Sequence, residues 1–313
     1  IMTSDFVRLS PDMSTAEAID RVRAQATSKE TVFALYVLDE EGRLVGVASL
    51  RRLILSKPDD LVGDVMYPHP ISLPVETDQE QVAERLRHYD FLAIPISDSE
   101  GRMIGIVTHD DAFDVVQEEQ TEDVQKMAAV EPLEAAYSDT PVITLVRKRA
   151  VWLIVLLGAG FVAGGVLQFF HAELTAYIAL TSFLPLIIAA GGNTGGQSAT
   201  LVIRAMAVGD VKIEDWPRIA GREALSGLLL GLMLGLLGYG TAHLLGEGAV
   251  GLTVGLTLVG IVLLGSLLGS LLPLLLARLK VDPAITSAPL IAGLVDILGI
   301  LLYFLIAKAL LGI

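Results

Sequence analysis

Residues 183–203 read FLPLIIAAGGNTGGQSATLVI, and the stretch 190–200 in the middle holds four glycines, an asparagine, a glutamine and three hydroxyl side chains. On both sides the chain is apolar enough for lipid. Bare backbone and amide groups are costly in hydrocarbon unless they face protein or water. The patch therefore has to border a polar path or fit closely against another helix, and what surrounds it decides between these.

The surroundings are a membrane domain. A spanning helix needs about 20 mostly apolar residues, and five segments of the second half qualify: about 150–170, 177–203, 225–245, 251–277 and 284–307. Arg147, Lys148 and Arg149 stand before the first. Arg204, Lys212, Arg218 and Arg222 follow the second, and Arg278 and Lys280 follow the fourth, whereas the short loops near 171–176 and 246–250 carry no Lys or Arg. This asymmetry predicts a cytoplasmic N-terminal half and an outside C-terminus, with Lys308 snorkelling at the outer end. Glycines four apart, such as Gly227, Gly231 and Gly235, predict close helix packing.

Composition divides the chain at about residue 140. The first 140 residues hold 28 of the 36 acids and 12 of the 22 bases; the remainder holds 8 acids and 10 bases. An acidic first half argues against nucleic acid and for cations as partners. With no cysteine, disulfides and thiolate metal sites are excluded. The polar, acidic first residues do not read as a signal peptide, and the start on Ile1 leads us to expect further chain upstream.

Asp296 falls near the middle of the fifth expected span, and no Lys or Arg is expected at its depth. A carboxylate so placed is expensive and usually faces a water-filled or protein-lined path. Backbone carbonyls freed around Gly191 and Gly192 would join it in a constriction built of oxygen ligands alone. Such a ligand set suits a hard cation such as Mg²⁺, which keeps several of its waters.

The first half contains a repeat. VLDEEGRLVGVASLRRL (37–53) aligns with ISDSEGRMIGIVTHDDA (96–112) at an offset of 59. Each copy predicts a strand, a DxxG hairpin turn, a second strand and a helix opening on Ser or Thr. Amphipathic helices at 14–26 and 78–89 precede them, and residues 2–11 echo 66–75. Two α/β modules, 1–64 and 65–116, are expected to come together.

The tandem unit resembles a pair of cystathionine-β-synthase (CBS) domains. FLPLIIAAGGNTGGQSATLVIRAMAVGDV together with VDPAITSAPLIAGLVDILGILLYF resembles the transmembrane domain of the MgtE magnesium channel/transporter family. The fold so implied is a cytoplasmic α/β CBS pair, a long connecting plug helix over 117–146 and an all-α five-helix transmembrane domain over 147–313. The resemblance further implies a homodimer in a bacterial-type inner membrane, with the second and fifth spans lining an ion path. Asp296 would hold Mg²⁺ beside the bend at Gly191, Gly192 and Asn193. The family's usual acidic helical domain would precede the CBS pair; the sequence opens at the first CBS module, so that domain is expected to be missing from it, naturally or by truncation, and Gly196 stands where some relatives carry Asn.

In the family, intracellular Mg²⁺ closes the pore by binding acidic clusters. Here Asp110, Asp111, Asp114, Glu118, Glu119, Glu122 and Asp123 crowd the end of the second module. Asp78, Glu80 and Asp90 add carboxylates, and Asp282 stands at the mouth of the fifth span. Such carboxylates repel one another until a divalent ion bridges them, which biases a two-state equilibrium. CBS pairs often bind adenosine nucleotides, so ATP is a candidate ligand: Arg51 and Phe91 occupy the contact positions and Thr108 with Asp111 fits the ribose-contact pattern, although Ala34 replaces a stacking aromatic. No Walker A motif and no nucleophile–base pair suggests an enzyme. The expected activity is passage of Mg²⁺ down its gradient into the cytoplasm. A proton-coupled divalent-cation carrier and a non-conducting CBS-type membrane sensor are the alternatives.

Overall fold

The computed structural model describes residues 1–312; Ile313, on which the expected transmembrane domain ends, lies outside the described residues. The chain forms two compact units, Ile1–Gln120 and one from Thr121 onward.

The first unit is built from the repeat. β1 (Arg8–Leu9) and α1 (Thr15–Gln25) are followed by the hairpin β2 (Ala34–Leu38)–β3 (Leu44–Ser49), then α2 (Leu50–Leu55), α3 (Val62–Val65) and β4 (Tyr67–Pro68). The second copy, led in by β4, runs β5 (Leu73–Pro74), α4 (Gln79–His88), β6 (Ala93–Ser97), β7 (Met103–Thr108) and α5 (His109–Met127). A capping box starts α1: Glu17 N–H donates to the Ser14 hydroxyl at 3.3 Å and Ser14 N–H donates to the Glu17 carboxylate at 3.0 Å. Both hairpins share one register, with Ala34 opposite Ser49 and Ala93 opposite Thr108, and both shift register at equivalent positions. Gly42 and Gly101 sit in open space at φ near +80°, so the turns need glycine for its backbone and not for room.

The echo between residues 2–11 and 66–75 has a structural counterpart. β4 pairs with β3 of its neighbour module, while Thr3 exchanges two 2.9 Å backbone hydrogen bonds with Ile106 of β7. Each module's lead-in segment thus covers the sheet edge of the other. Met66 lies over Gly46 and Met2 over Gly105, filling the space a Cβ would take. A shared core of Phe6, Tyr36, Leu38, Ala93, Met103 and Ile106 joins the modules.

The second unit is helical: α6 (Val142–Phe169), α7 (His171–Ala176), α8 (Ala179–Ala207), α9 (Trp216–Leu244), α10 (Gly248–Arg278) and α11 (Ala288–Leu311). The single helix expected over 117–146 is not present. α5 ends at Met127 in a Schellman turn, with Ala129 at φ +58° and hydrogen bonds from Val130 to Gln125 and from Ala129 to Lys126. Pro132 and Pro141, which lack an N–H, prevent the helix from resuming before Val142. Among the described residues, four helical stretches are long and apolar enough to cross a membrane: Val142–Phe169, Ile213–Leu244, Gly248–Arg278 and Ala288–Leu311. The remaining one of the five expected spans, the second (177–203), is α8. It has 29 residues, about 44 Å of helix, but the polar patch dilutes its apolar character.

That patch does not break α8, which runs continuously through Gly191–Thr200. The expected bend and its freed carbonyls give way to a different use of glycine. A Cβ on Gly191 would meet Ile261 at 2.5 Å and Val295 at 2.6 Å; one on Gly265 would meet the Gly191 carbonyl at 2.6 Å, and one on Gly269 would collide with the Gly195 backbone. On the other flank of α10, a Cβ on Gly231 would stand 2.9 Å from the Val259 carbonyl. Missing side chains therefore let α8 and α9 close on α10. At its far end α11 is held by the Tyr303 hydroxyl donating to the Leu180 carbonyl at 3.1 Å and by stacking of Phe304 on Phe170 at 4.7 Å. Lys308 does not merely snorkel: it forms a 2.7 Å ion pair with Glu173.

Overpacking a tight contact costs about 1–3 kcal/mol. Gly269→Ala should therefore lower stability in detergent by about that amount, while Gly158→Ala, whose Cβ would meet open space on α6, should be neutral or slightly stabilising. Hydrogen bonding from Lys308 holds the Glu173 carboxyl below its ordinary value. A depressed carboxyl pKa contributes stability above the unfolded value of about 4.3 that is lost as pH falls through the folded one. The melting-temperature gap between wild type and Glu173→Gln should accordingly narrow as pH is lowered from 6 to 3.

Candidate functional site

Stripes of α8 and α11 face a groove of about 780 Å³. From α8 come Gly192, Asn193, Gly196, Gln197 and Thr200, which helical spacing puts on one face. From α11 come Ala288, Ala292 and Asp296, four residues apart. A Cβ on Gly192 would stand 3.1 Å from the Ala292 methyl and 3.6 Å from Asp296 Oδ1; one on Gly196 would stand 3.2 Å from the Ala288 methyl. The glycines thus let α11 approach while the Asn193 and Gln197 amides stay on the groove. Asp296, Gly192 and Asn193 are brought together there.

Asp296 Oδ1 is buried and meets no hydrogen-bond donor among the described residues. An unsatisfied buried charged oxygen is among the costlier features a fold can keep. Such an oxygen calls for a donor or a cation, and neither the Asn193 nor the Gln197 amide on the groove bonds to it. Among the described residues no three His, Asp or Glu side chains gather as a metal cluster, so the chain alone offers Asp296 as a single carboxylate.

The reverse side of α8 holds a group that the sequence reading missed. The buried Ser198 hydroxyl donates to Glu223 Oε2 at 2.6 Å. The third span was expected from residue 225, which left Glu223 in a loop; α9 begins at Trp216 and carries it about two turns inside the helix. An acid directly before the long apolar run of the third span was the available signal.

The segment 184–306 matches the MgtE family of divalent cation transporters, and residues 1–58 and 62–118 each match the CBS domain. The magnesium transporter MgtE of Thermus thermophilus is 42% identical over 311 residues, spanning 99% of this chain and 69% of that protein. That of Bacillus subtilis is 36% identical over 310 residues, spanning 99% and 68%. A solved cytosolic domain of the Mg²⁺ channel MgtE in complex with ATP is 43% identical over 37% of this chain and 46% of that one, with a TM-score of 0.36. The chain belongs to the MgtE family. It is a membrane protein whose relatives transport magnesium, with an N-terminal CBS pair and a mostly helical C-terminal region.

Within the CBS pair the acids singled out from the sequence form no three-carboxylate metal cluster among the described residues. Asp78 caps α4, accepting from Glu80 N–H at 3.0 Å, and Glu119 on α5 accepts from the neighbouring Gln79 amide at 3.0 Å. Asp90 ends α4 at φ +53° in a Schellman turn, with Phe91 N–H bonded to the Leu86 carbonyl, so its left-handed backbone is a helix stop. Asp111 accepts from the Thr108 hydroxyl at 2.8 Å, and Asp114 is exposed. A cleft of about 310 Å³ between the modules is lined by Ala34, Tyr36, Tyr67, Asp90 and Phe91. Of the nucleotide-contact candidates it takes in Phe91; Arg51 stands exposed on α2.

In the membrane unit two expected sensor acids do meet, but around a cation of the chain's own. Lys126 Nζ lies 2.5 Å from Glu122 and 2.5 Å from Asp282, and Asp123 is half-buried beside them in sequence. Burial works against the Lys126 ammonium, yet hydrogen bonds to Asp282 and Glu122 outweigh it and hold its pKa above the usual lysine range. The group is therefore fully charged at neutral pH.

Leaving a buried hydroxyl without its acceptor costs about 1–3 kcal/mol. Glu223→Ala should destabilise the helical unit by that amount in chemical unfolding monitored by helix signal. Glu223→Gln, which keeps an acceptor for Ser198, should recover most of the loss.

Proposed function

We propose that this chain forms a homodimeric Mg²⁺ channel in a bacterial-type inner membrane. Ions pass down their electrochemical gradient into the cytoplasm, the CBS pair lies on the cytoplasmic side, and the C-terminus lies outside. The observation that carries this reading is Asp296, which lines the groove of α8 and α11 and keeps one buried carboxylate oxygen without a partner among the described residues. A two-fold copy of the groove would supply a second carboxylate. A hydrated Mg²⁺ between the pair, with Asn193 and the bare Gly192 backbone alongside, would neutralise what the chain by itself leaves unsatisfied. A hard, strongly hydrated ion fits a site of few carboxylates and amides.

Cytosolic Mg²⁺ would close the channel by bridging acids of the CBS pair and the linking segment. Asp78, Glu80, Asp90, Asp111, Asp114, Glu119, Glu122, Asp123 and Asp282 are the sensor candidates, and the end of α5 is the gating contact. Within the CBS pair, the cleft at Phe91 is the proposed ATP site, with Arg51, Thr108 and Asp111 as accessory contacts. The repeat's preserved hairpins and the apolar cleft wall support that assignment.

Flux of Mg²⁺ into proteoliposomes tests the pore reading. A charged contact of this kind is worth roughly 1.5–3 kcal/mol, so Asp296→Asn should reduce flux about ten- to a hundredfold while the protein remains dimeric and folded. Wild-type flux should follow the Mg²⁺ gradient and ignore an imposed pH gradient. Undiminished flux in the variant would remove Asp296 from the path, and flux driven by a proton gradient would favour the carrier.

A further inference from the structure

A second cavity lies away from the groove, where the start of α9 meets the end of α10. It encloses about 380 Å³ and is walled by Ile213, Trp216, Leu268, Leu271 and Leu275, with Arg278 at its rim. Every wall residue is apolar except that rim, and the wall is open to its surroundings: Trp216 and Leu275 are each 51% exposed. Arg278 forms no ion pair among the described residues. The same end of the two helices carries exposed Lys212, Arg218 and Lys280. Against these stand Glu214 and Asp215, and the Asp215 carboxylate is engaged by the Lys212 backbone N–H at 2.9 Å.

An apolar slot between two membrane-spanning helices, a tryptophan at its mouth and an unpaired guanidinium where the hydrocarbon ends have one shared complement. Tryptophan favours the headgroup level of a bilayer, and clustered Lys and Arg at a helix end attract anionic headgroups. Arginine presents paired N–H donors suited to phosphate oxygens. We infer that this cavity is a binding site for one anionic phospholipid, its acyl chain seated against Leu271 and Leu275 and its phosphate held by Arg278. This inference stands independently of the ion path, from which none of these residues is drawn.

The chain has two tryptophans, so Trp152→Phe leaves Trp216 as the sole reporter. That variant, reconstituted as the full chain in bilayers, is titrated with phosphatidylglycerol or phosphatidylcholine brominated on the acyl chain, and Trp216 quenching is read. One surface charge favours an anionic lipid by on the order of fivefold, so phosphatidylglycerol should reach half-quenching at a correspondingly lower fraction of the bilayer. Arg278→Gln should abolish the preference and Arg278→Lys should retain part of it. Equal quenching by both lipids would reduce the cavity to ordinary bilayer contact and overturn the inference. Absence of quenching by either would overturn it in favour of a second protein copy covering the face, and so would a preference untouched in Arg278→Gln.

Discussion

Asp296 sets the terms for the rest of the helical unit. A carboxylate oxygen buried in a helix that must live in lipid requires a donor, a cation or water, and the described residues give it no donor. Everything that positions α11 therefore also positions an unmet electrostatic demand. The far end of the helix is fixed by Tyr303 bonding to Leu180 and by Lys308 paired with Glu173; its near end starts from a Ser287 cap, the hydroxyl accepting from Leu290 N–H at 3.3 Å. A helix anchored at both ends does not turn easily to hide one side chain, which is why the demand has to be met from the groove.

The glycines of α8 serve two neighbours at once. Gly191 and Gly195 sit between α10 and α11 and Gly192 and Gly196 face α11, so the GG pairs, four residues apart, strip the contact faces of the helix toward both. Between close neighbours on two sides, the polar residues of the patch have few places to go. Thr194 and Thr200 bond back to the Ala190 and Gly196 carbonyls, Ser198 reaches Glu223, and Asn193 with Gln197 remains at the groove. The polar patch is thus tolerable because nearly every group in it has either a partner within the bundle or an aqueous face.

What the sequence made legible were features written in local spacing. The 59-residue repeat carried through to matching strand registers, and glycines spaced four apart on α9 pack closely against α10. The misses share a cause. The bend in α8 was implied by the family resemblance, whereas the helix stays continuous where its glycines allow close packing, a value invisible without the partner helices. The continuous linker helix, carried over from the family resemblance, gives way at Pro132 and Pro141, local signals that the resemblance overrode. Glu223 and Lys126 were missed because each acquires its meaning from a residue far away in sequence, Ser198 and Asp282.

Lys126 also constrains how any divalent sensor in this chain has to work. Glu122 and Asp282 are not bare carboxylates waiting apart; a single ammonium already bridges them. Two carboxylates and one ammonium leave a residual charge of −1, whereas a divalent ion in the same place would neutralise the pair completely. Binding there is consequently an exchange rather than an addition: its driving force is the difference between a hydrated Mg²⁺ and a tethered ammonium, and the displaced lysine must be solvated elsewhere. A tethered cation always present at high local concentration lowers the apparent affinity of a free competitor. For the proposed gating, this means that the response is set to concentrations at which Mg²⁺ outcompetes Lys126, so that the threshold is tuned by a residue that is not itself a ligand.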